Sequence, residues 1–176
     1  MSIASVNNYV KINLMLKNKG FGLLEIVIAS AIIAGTIFSL AFVFLISHKL
    51  ANESSNEIRA NFLAEEGLEA LRFLRDRSWS ANLASLNTST TYYLSFNSSN
   101  SSWSIGTSNP GTIDNLFTRS FTVENVNRNA SDNIVPTGGS NDPDTRKFNV
   151  TISWTERGGA ALSTTVSTYL TDIFDN

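Results

Sequence analysis

Glu25 is the residue whose type and position raise the most specific chemical question in this chain. It stands at the entrance of residues 26–46, a run of 21 residues without a single charge. A carboxylate held in an apolar environment is costly unless a cation neutralises it. We therefore expect Glu25 to pair with a cationic group once its surroundings exclude water.

The chain offers few other residues for catalysis or metal binding. It contains no cysteine, and its only histidine, His48, lies just after the apolar run. Since the residues after His48 contain neither histidine nor cysteine, they cannot form a Ser-His-Asp triad or a Cys/His zinc site. Asp142 and Asp144 could support acid–base chemistry or bind Ca²⁺ through oxygen, but Pro143 and the preceding Gly138-Gly139 favour a turn. We predict no catalytic residue, cofactor or bound metal, and hence no enzyme.

Residues 26–46 are long and apolar enough to form a transmembrane helix, because about 20 such residues span the ~30 Å hydrocarbon core of a bilayer. Basic residues concentrate before the run, which places the N-terminus in the cytoplasm and the rest of the chain outside. A secretory signal peptide is the rival interpretation, but its cleavage site lies in polar surroundings, whereas Ser39-Leu40-Ala41 lies inside the run. The flanking charged or titratable residues are Lys11, Lys17 and Lys19 before the run and His48, Lys49 and Glu53 after it.

The helix is predicted to continue beyond the apolar run to about Arg77. Residues 47–77 contain no proline and only one glycine, Gly67, and helix formers dominate. A stripe of small and apolar residues recurs at spacings of three and four, so this segment is amphipathic and must bury one face. A helix over residues 21–77 would be about 85 Å long at ~1.5 Å per residue. The stripe is Ala60, Ala64, Gly67, Leu71 and Leu74, and the opposite face carries Arg59, Glu65, Glu69, Arg72 and Asp76.

Residues 78–176 are predicted to form a β-rich head. Short runs of aromatic and β-branched residues at 91–96, 103–105 and 117–126 are separated by Ser, Asn, Pro and Gly clusters. Residues 148–154 and 162–170 alternate apolar and polar side chains around Gly158-Gly159, which predicts an antiparallel hairpin with one buried face. Residues 135–144 are predicted to be a turn-rich connection. A long helix packed on an antiparallel sheet defines an α+β fold.

The residues at the membrane entrance carry a family resemblance. The string Lys19-Gly20-Phe21-Gly22-Leu23-Leu24-Glu25, followed by an uncharged helix, resembles the class III signal of type IV pilins and of the pseudopilins of type II secretion. The resemblance implies that a prepilin peptidase cuts between Gly20 and Phe21 and methylates the new N-terminal amine of Phe21. It also implies that Glu25 forms an assembly salt bridge with the amine of Phe21 in a neighbouring subunit.

Elementary chemistry agrees with this implied processing. Gly20 permits the close backbone approach that a protease cleft requires. Removal of residues 1–20 also removes the three lysines that would hold the N-terminus at the cytoplasmic surface. The helix is then free to leave the bilayer.

The sequence departs from the pattern of the family in three respects. Gly22 stands where Thr or Ser is commoner, although Phe21 and Leu23 preserve the shape of the motif. Phe42 stands where many type IV pilins have a proline, which puts a local melting of the helix in doubt. The cysteine pair that closes a C-terminal loop in many pilins is absent, so the hairpin of residues 148–170 would have to hold the head.

The resemblance implies a structural subunit of a type IV pilus-like or pseudopilus filament. The small head, the missing cysteine loop and the absence of proline from the membrane helix favour a minor pilin. Its partners would be the prepilin peptidase, other pilin subunits and the assembly platform. The precursor would be a single-pass protein of the cytoplasmic membrane, and the product an extracellular or periplasmic filament. An uncut signal-anchored surface protein with a β-rich binding head is the alternative hypothesis, and a secreted or anchored enzyme is the third.

The charge balance argues against nucleic acid as a partner. Of 13 basic residues, 3 lie in the first twenty positions, which leaves 13 − 3 = 10 basic against 15 acidic residues in the rest. A mildly acidic body lacks the basic surface that phosphate backbones require.

Overall fold

The computed structural model describes Gly20 and residues 22–174 as a long helix followed by an antiparallel sheet. This architecture confirms the predicted α+β fold. The helices are α1 (Leu23–Arg77) and α2 (Trp79–Asn82), and the strands are β1 (Tyr92–Asn97), β2 (Ser102–Gly106), β3 (Thr118–Arg128), β4 (Ile134–Val135), β5 (Ser140–Thr155) and β6 (Ala161–Thr171).

The chain divides into two compact units, Met1–Ser47 and His48–Asn176, and α1 contributes residues to both. In the first unit, every side chain of α1 from residue 23 to 47 is exposed. Within the described residues, α1 is the one helix long and apolar enough to cross a membrane. An all-round apolar helical surface of this kind is suited to lipid or to other helices rather than to water.

In the second unit, the predicted stripe of α1 is buried. All five of its residues, from Ala60 to Leu74, are buried, together with Leu68 and Ala70. They pack against side chains that point to one face of the sheet, among which Phe121, Phe148 and Ile152 are fully buried. The three-and-four spacing of the helix and the two-residue period of the strands therefore meet in one hydrophobic core.

The strand order in the sheet is β2-β1-β3-β5-β6, and β4 pairs with β3 at a separate position. The predicted hairpin is confirmed as β5 and β6, which pair over eleven residue pairs from Thr145↔Thr171 to Thr155↔Ala161. Gly158 and Gly159 form its turn with φ of 119° and 85°, angles that glycine adopts without strain. The shorter predicted strands agree with β1, β2 and β3 to within two residues.

The prediction of a turn-rich connection over residues 135–144 was wrong in its second half. β5 already begins at Ser140 and contains Pro143. The register between β3 and β5 shifts so that Asn125 faces Arg146 whereas Val126 faces Asp142. Pro143 therefore lies in a bulge, where its missing N–H costs no ladder hydrogen bond.

Candidate processing and assembly site

The helical hydrogen-bond pattern begins at Gly22. Its carbonyl oxygen accepts hydrogen bonds from the N–H of Glu25, at 2.9 Å, and of Ile26, at 3.2 Å. Gly20 and Gly22 both lie before the helix, and a Cβ at either position would meet no atom within 4 Å. Phe21, the predicted new N-terminus, lies outside the described residues. The predicted cleavage position thus lies two residues before α1, which begins at Leu23.

Glu25 lies in the first turn of α1, with an exposed side chain. The N-terminus of a helix carries partial positive charge from its unpaired N–H groups, which favours a carboxylate there. Within the part of the chain that the structure describes, the ion pairs are all between residues of the second unit. Glu25 is therefore placed by its helix where a cation from another molecule could reach it.

The hydroxyl groups of the apolar segment are satisfied within the helix itself. Ser30 donates to the carbonyl oxygen of Val27 at 2.9 Å, and Thr36 donates to that of Ile33 at 2.7 Å. Ser39 likewise donates to the carbonyl oxygen of Gly35 at 2.8 Å. Since an unpaired hydroxyl in hydrocarbon is costly, these bonds make the segment compatible with a bilayer or with a dry interface between helices.

The middle of the apolar segment is unbroken. Helix α1 runs through Phe42 without interruption. A Cβ at Gly35 would meet nothing within 4 Å, so the surface there is open. Small residues at such positions allow another helix to approach closely.

His48 and Lys49 mark the start of the second unit and have local partners. The side-chain amide nitrogen of Asn52 lies 3.0 Å from Nδ1 of His48, and Lys49 forms an ion pair with Glu53 at 3.5 Å. Both contacts join residues one helical turn apart. They give His48 a local structural role beside the apolar segment.

One carboxylate of the Asp142–Asp144 pair, that of Asp142, is bound by an arginine. Nε of Arg128 donates to Asp142 Oδ2 at 2.6 Å, and the N–H of Asp144 donates to Asp142 Oδ1 at 3.0 Å. Burial alone would raise the pKa of Asp142, but the hydrogen bonds from Arg128, Thr145 and Asp144 outweigh it and lower that pKa. Among the described residues, no group of three or more His, Asp or Glu side chains is arranged to hold a metal ion.

Arg119 is a structurally important residue that the sequence analysis missed. Its side chain is only 5% exposed and lies between α1 and the sheet. Its Nη1 atom donates to Glu66 Oε2 at 2.6 Å and to the carbonyl oxygen of Leu63 at 3.2 Å, and its guanidinium lies 4.9 Å from the ring centroid of Trp103. The one sequence signal for a buried cation is Glu66, a carboxylate directly beside Gly67 of the buried stripe.

We compared the chain with protein-family models, with curated proteins and with solved structures, and none of the three comparisons gave a match. A functional proposal for this chain therefore depends on its own residues and their geometry.

Proposed function

We propose that the chain is a structural subunit, of the minor-pilin type, of a type IV pilus-like or pseudopilus filament. In this proposal the precursor is anchored in the cytoplasmic membrane by residues 26–46 with its head outside. A prepilin peptidase cuts between Gly20 and Phe21 and methylates Phe21, and the assembly platform then moves the subunit into a filament. The observation that carries the proposal is the sequence from Gly20 to Glu25 directly at the start of an exposed apolar helix.

The exposed apolar surface supports a role in polymerisation. From Leu23 to Ile46, large apolar side chains such as Phe38 and Leu40 are 75% and 70% exposed, which is far outside what a soluble surface tolerates. Lipid covers this surface in the precursor, and the helices of other subunits cover it in a filament. The self-satisfied hydroxyls of Ser30, Thr36 and Ser39 suit both environments.

The position of Glu25 supports a role in subunit registration. A carboxylate in the first helical turn, surrounded by apolar side chains, gains most from a cation that arrives with the neighbouring helix. The amine that cleavage creates at Phe21 of another copy supplies that cation. The ion pair exists only after processing, so unprocessed precursors would not enter the filament.

The direct test is mass spectrometry of the N-terminus of the chain expressed in cells that contain a prepilin peptidase. We expect a mature chain that begins with N-methylated Phe21. Gly20→Val should abolish the cut, whereas Gly22→Ala should be processed, because its new Cβ meets open space and lies beyond the cut bond. A wild-type chain that keeps residues 1–20, the leader peptide, would contradict the proposal and support an uncut signal-anchored surface protein.

The second test separates processing from assembly. Glu25→Gln keeps the size of the side chain and removes its charge, so we expect a normally cut and methylated subunit that fails to enter filaments. Glu65→Ala, which removes an exposed carboxylate from the polar face of the second segment, should assemble normally. Filaments that incorporate the Glu25→Gln chain as efficiently as wild type would rule out the proposed ion pair.

A further inference from the structure

The outer edge of β6 is unpaired within residues 22–174. β6 is the last strand of the sheet and pairs only with β5. It is eleven residues long, and its register with β5 is uninterrupted. Alternate residues of an edge strand direct their N–H and C=O groups away from the sheet, so this edge offers a regular row of donors and acceptors.

The edge of β6 lacks the features that normally prevent strands from pairing. Residues 158–171 contain no charged residue and no proline, and β-branched residues are frequent. The opposite edge of the sheet is different, because β2 has only five residues and is followed by Asn109-Pro110-Gly111. Short strands, charges, prolines and bulges are the usual protection of an edge, and β6 has none of them.

The β6 sequence is complementary to itself in the antiparallel direction. When two copies pair about a two-fold axis at Val166, Thr164 faces Thr168 and Leu162 faces Leu170 of the other copy. On the opposite face, Thr165 faces Ser167 and Ser163 faces Tyr169. Leu162 and Tyr169, which are 41% and 50% exposed in one chain, both gain a cross-strand neighbour. Apolar residues thus meet apolar or β-branched ones, and hydroxyls meet hydroxyls.

The flanking charges favour the antiparallel direction over the parallel one. Asp172, whose carboxylate accepts a hydrogen bond from the N–H of Phe174 at 3.3 Å, follows β6, and the exposed Arg157 lies in the turn before it. The other charge of that turn, Glu156, is already engaged, because its carboxylate accepts hydrogen bonds from Asn56 at 3.1 Å and from the Trp154 indole at 2.8 Å. Antiparallel pairing brings Asp172 towards the turn with Arg157, whereas parallel pairing would bring like ends together.

We propose that the free edge of β6 is an interaction surface for β6 of a second copy of this chain, paired antiparallel with its two-fold axis at Val166. The two sheets then form one continuous sheet, joined by about ten main-chain hydrogen bonds, which matches the number in an ordinary protein interface. The contact is isologous and closed, so it joins two copies and no more. The axis is perpendicular to the sheet, so residues 48–77 of α1, which pack on that sheet, run in opposite directions in the two copies. The contact is therefore not one between parallel neighbours in one membrane or one filament, and it depends on neither cleavage after Gly20 nor polymerisation.

Charge substitutions at the edge test both the surface and its register. Thr165 and Ser167 are exposed, and they face each other across the proposed axis. T165K/S167K and T165E/S167E place like charges opposite each other twice, so we expect dimerisation at least about tenfold weaker than that of wild type. T165K/S167E changes the same two positions but places each lysine opposite a glutamate of the other copy. This variant should restore dimerisation. Ser104→Lys, on the β2 edge, should leave dimerisation unchanged.

The measurement is sedimentation equilibrium of the full chain in detergent, with micelles in large excess over protein. Association through the apolar segment is the same in every variant, so differences among them report the edge alone. Near-ultraviolet circular dichroism checks that each head is folded.

Cysteine cross-linking gives an independent readout, since the chain has no cysteine of its own. Val166→Cys should form a disulfide-linked dimer under mild oxidation, because a residue on the axis faces its own copy at roughly 5 Å between Cβ atoms. Ser104→Cys should remain monomeric under the same conditions. A wild-type chain that stays monomeric, or equal dimerisation of the lysine pair and the lysine–glutamate pair, would overturn the proposal. A Val166→Cys chain that cross-links no more than Ser104→Cys would overturn the stated register.

Discussion

The two segments of α1 have the same backbone conformation but opposite surroundings. Residues 23–47 have no buried side chain, whereas residues 48–77 bury seven residues against the sheet. The first segment is apolar on every side and carries Glu25 as its only charge, while the second has charges on one face and a narrow apolar stripe on the other. Helix formation alone therefore does not show whether a segment packs on the sheet, because the distribution of side chains around the helix axis decides what the helix contacts.

Truncation of a large side chain in each segment should show the greatest contrast. Leu71 is fully buried in the core, so Leu71→Ala should lower the free energy of unfolding of the head by about 3 kcal/mol. Ile37 is 60% exposed, and Ile37→Ala should change it by less than about 0.5 kcal/mol. Urea unfolding of the full chain in detergent, followed by tryptophan fluorescence, measures both. Equal losses would show that the first segment also supports the head.

Removal of the carboxylate beside Arg119 should have the next largest effect. Glu66→Ala leaves a guanidinium that is only 5% exposed without its anionic partner, at a cost of about 2 kcal/mol. Glu65→Ala removes the neighbouring exposed carboxylate and should cost little. The same unfolding assay compares the two. If both variants unfold like wild type, Arg119 does not need Glu66 for its burial.

The two helical glycines allow a matched comparison of the segments. A Cβ at Gly67 would lie 2.9 Å from Cγ1 of Val150 and 3.1 Å from Cδ of Arg119, whereas a Cβ at Gly35 would meet nothing within 4 Å. Gly67→Ala should therefore destabilise the head by about 1 kcal/mol, because crowding outweighs the gain in helix propensity. Gly35→Ala should not lower the stability of the head. A stabilising Gly67→Ala substitution would mean that the sheet can move away from the helix.

The smallest effect concerns pH and the Arg128–Asp142 pair. Folding lowers the pKa of Asp142, so the ionised carboxylate stabilises the fold at pH values above ~3.9, the pKa of an unfolded aspartate. This stabilisation is lost as the pH falls through the lower pKa of the folded state. Asp142→Asn should therefore be less stable than wild type at pH 7, and the difference should shrink below about pH 4. Asp144→Asn is the control for a nearby carboxylate without an ion pair to Arg128. Thermal unfolding across the pH range measures the difference, and parallel profiles for wild type and Asp142→Asn would refute the assigned role.

The elements that the sequence predicted well are those with local periodicity. The end of α1 at Arg77, its buried stripe and the β5–β6 hairpin follow from spacings of three to four and of two residues, which a short window of sequence already shows. The candidate site is also a local pattern, since Gly20, Phe21 and Glu25 lie within six residues. Its role as a processing and assembly site stays a prediction.

The elements that the sequence did not predict depend on distant pairing. Arg119 and Glu66 are 53 positions apart, and Arg128 reaches Asp142 only because the β3–β5 register shifts at a bulge. Pro143 likewise occupies a strand because that bulge accommodates it. No local window contains this information, since the partner of each residue is set by the register of the whole sheet.

The sequence by itself determined that one half of α1 must avoid water on all sides and that the other half must bury a single stripe, because side-chain polarity around a helix is fixed by residue order. Only the tertiary structure decided which charges of the head are neutralised and which edge of the sheet stays open. Those outcomes depend on strand order and register. The strand order leaves β6 and β2 as the two edges of the sheet, and the long, uncharged edge of β6 is the one better suited to pairing with a second chain.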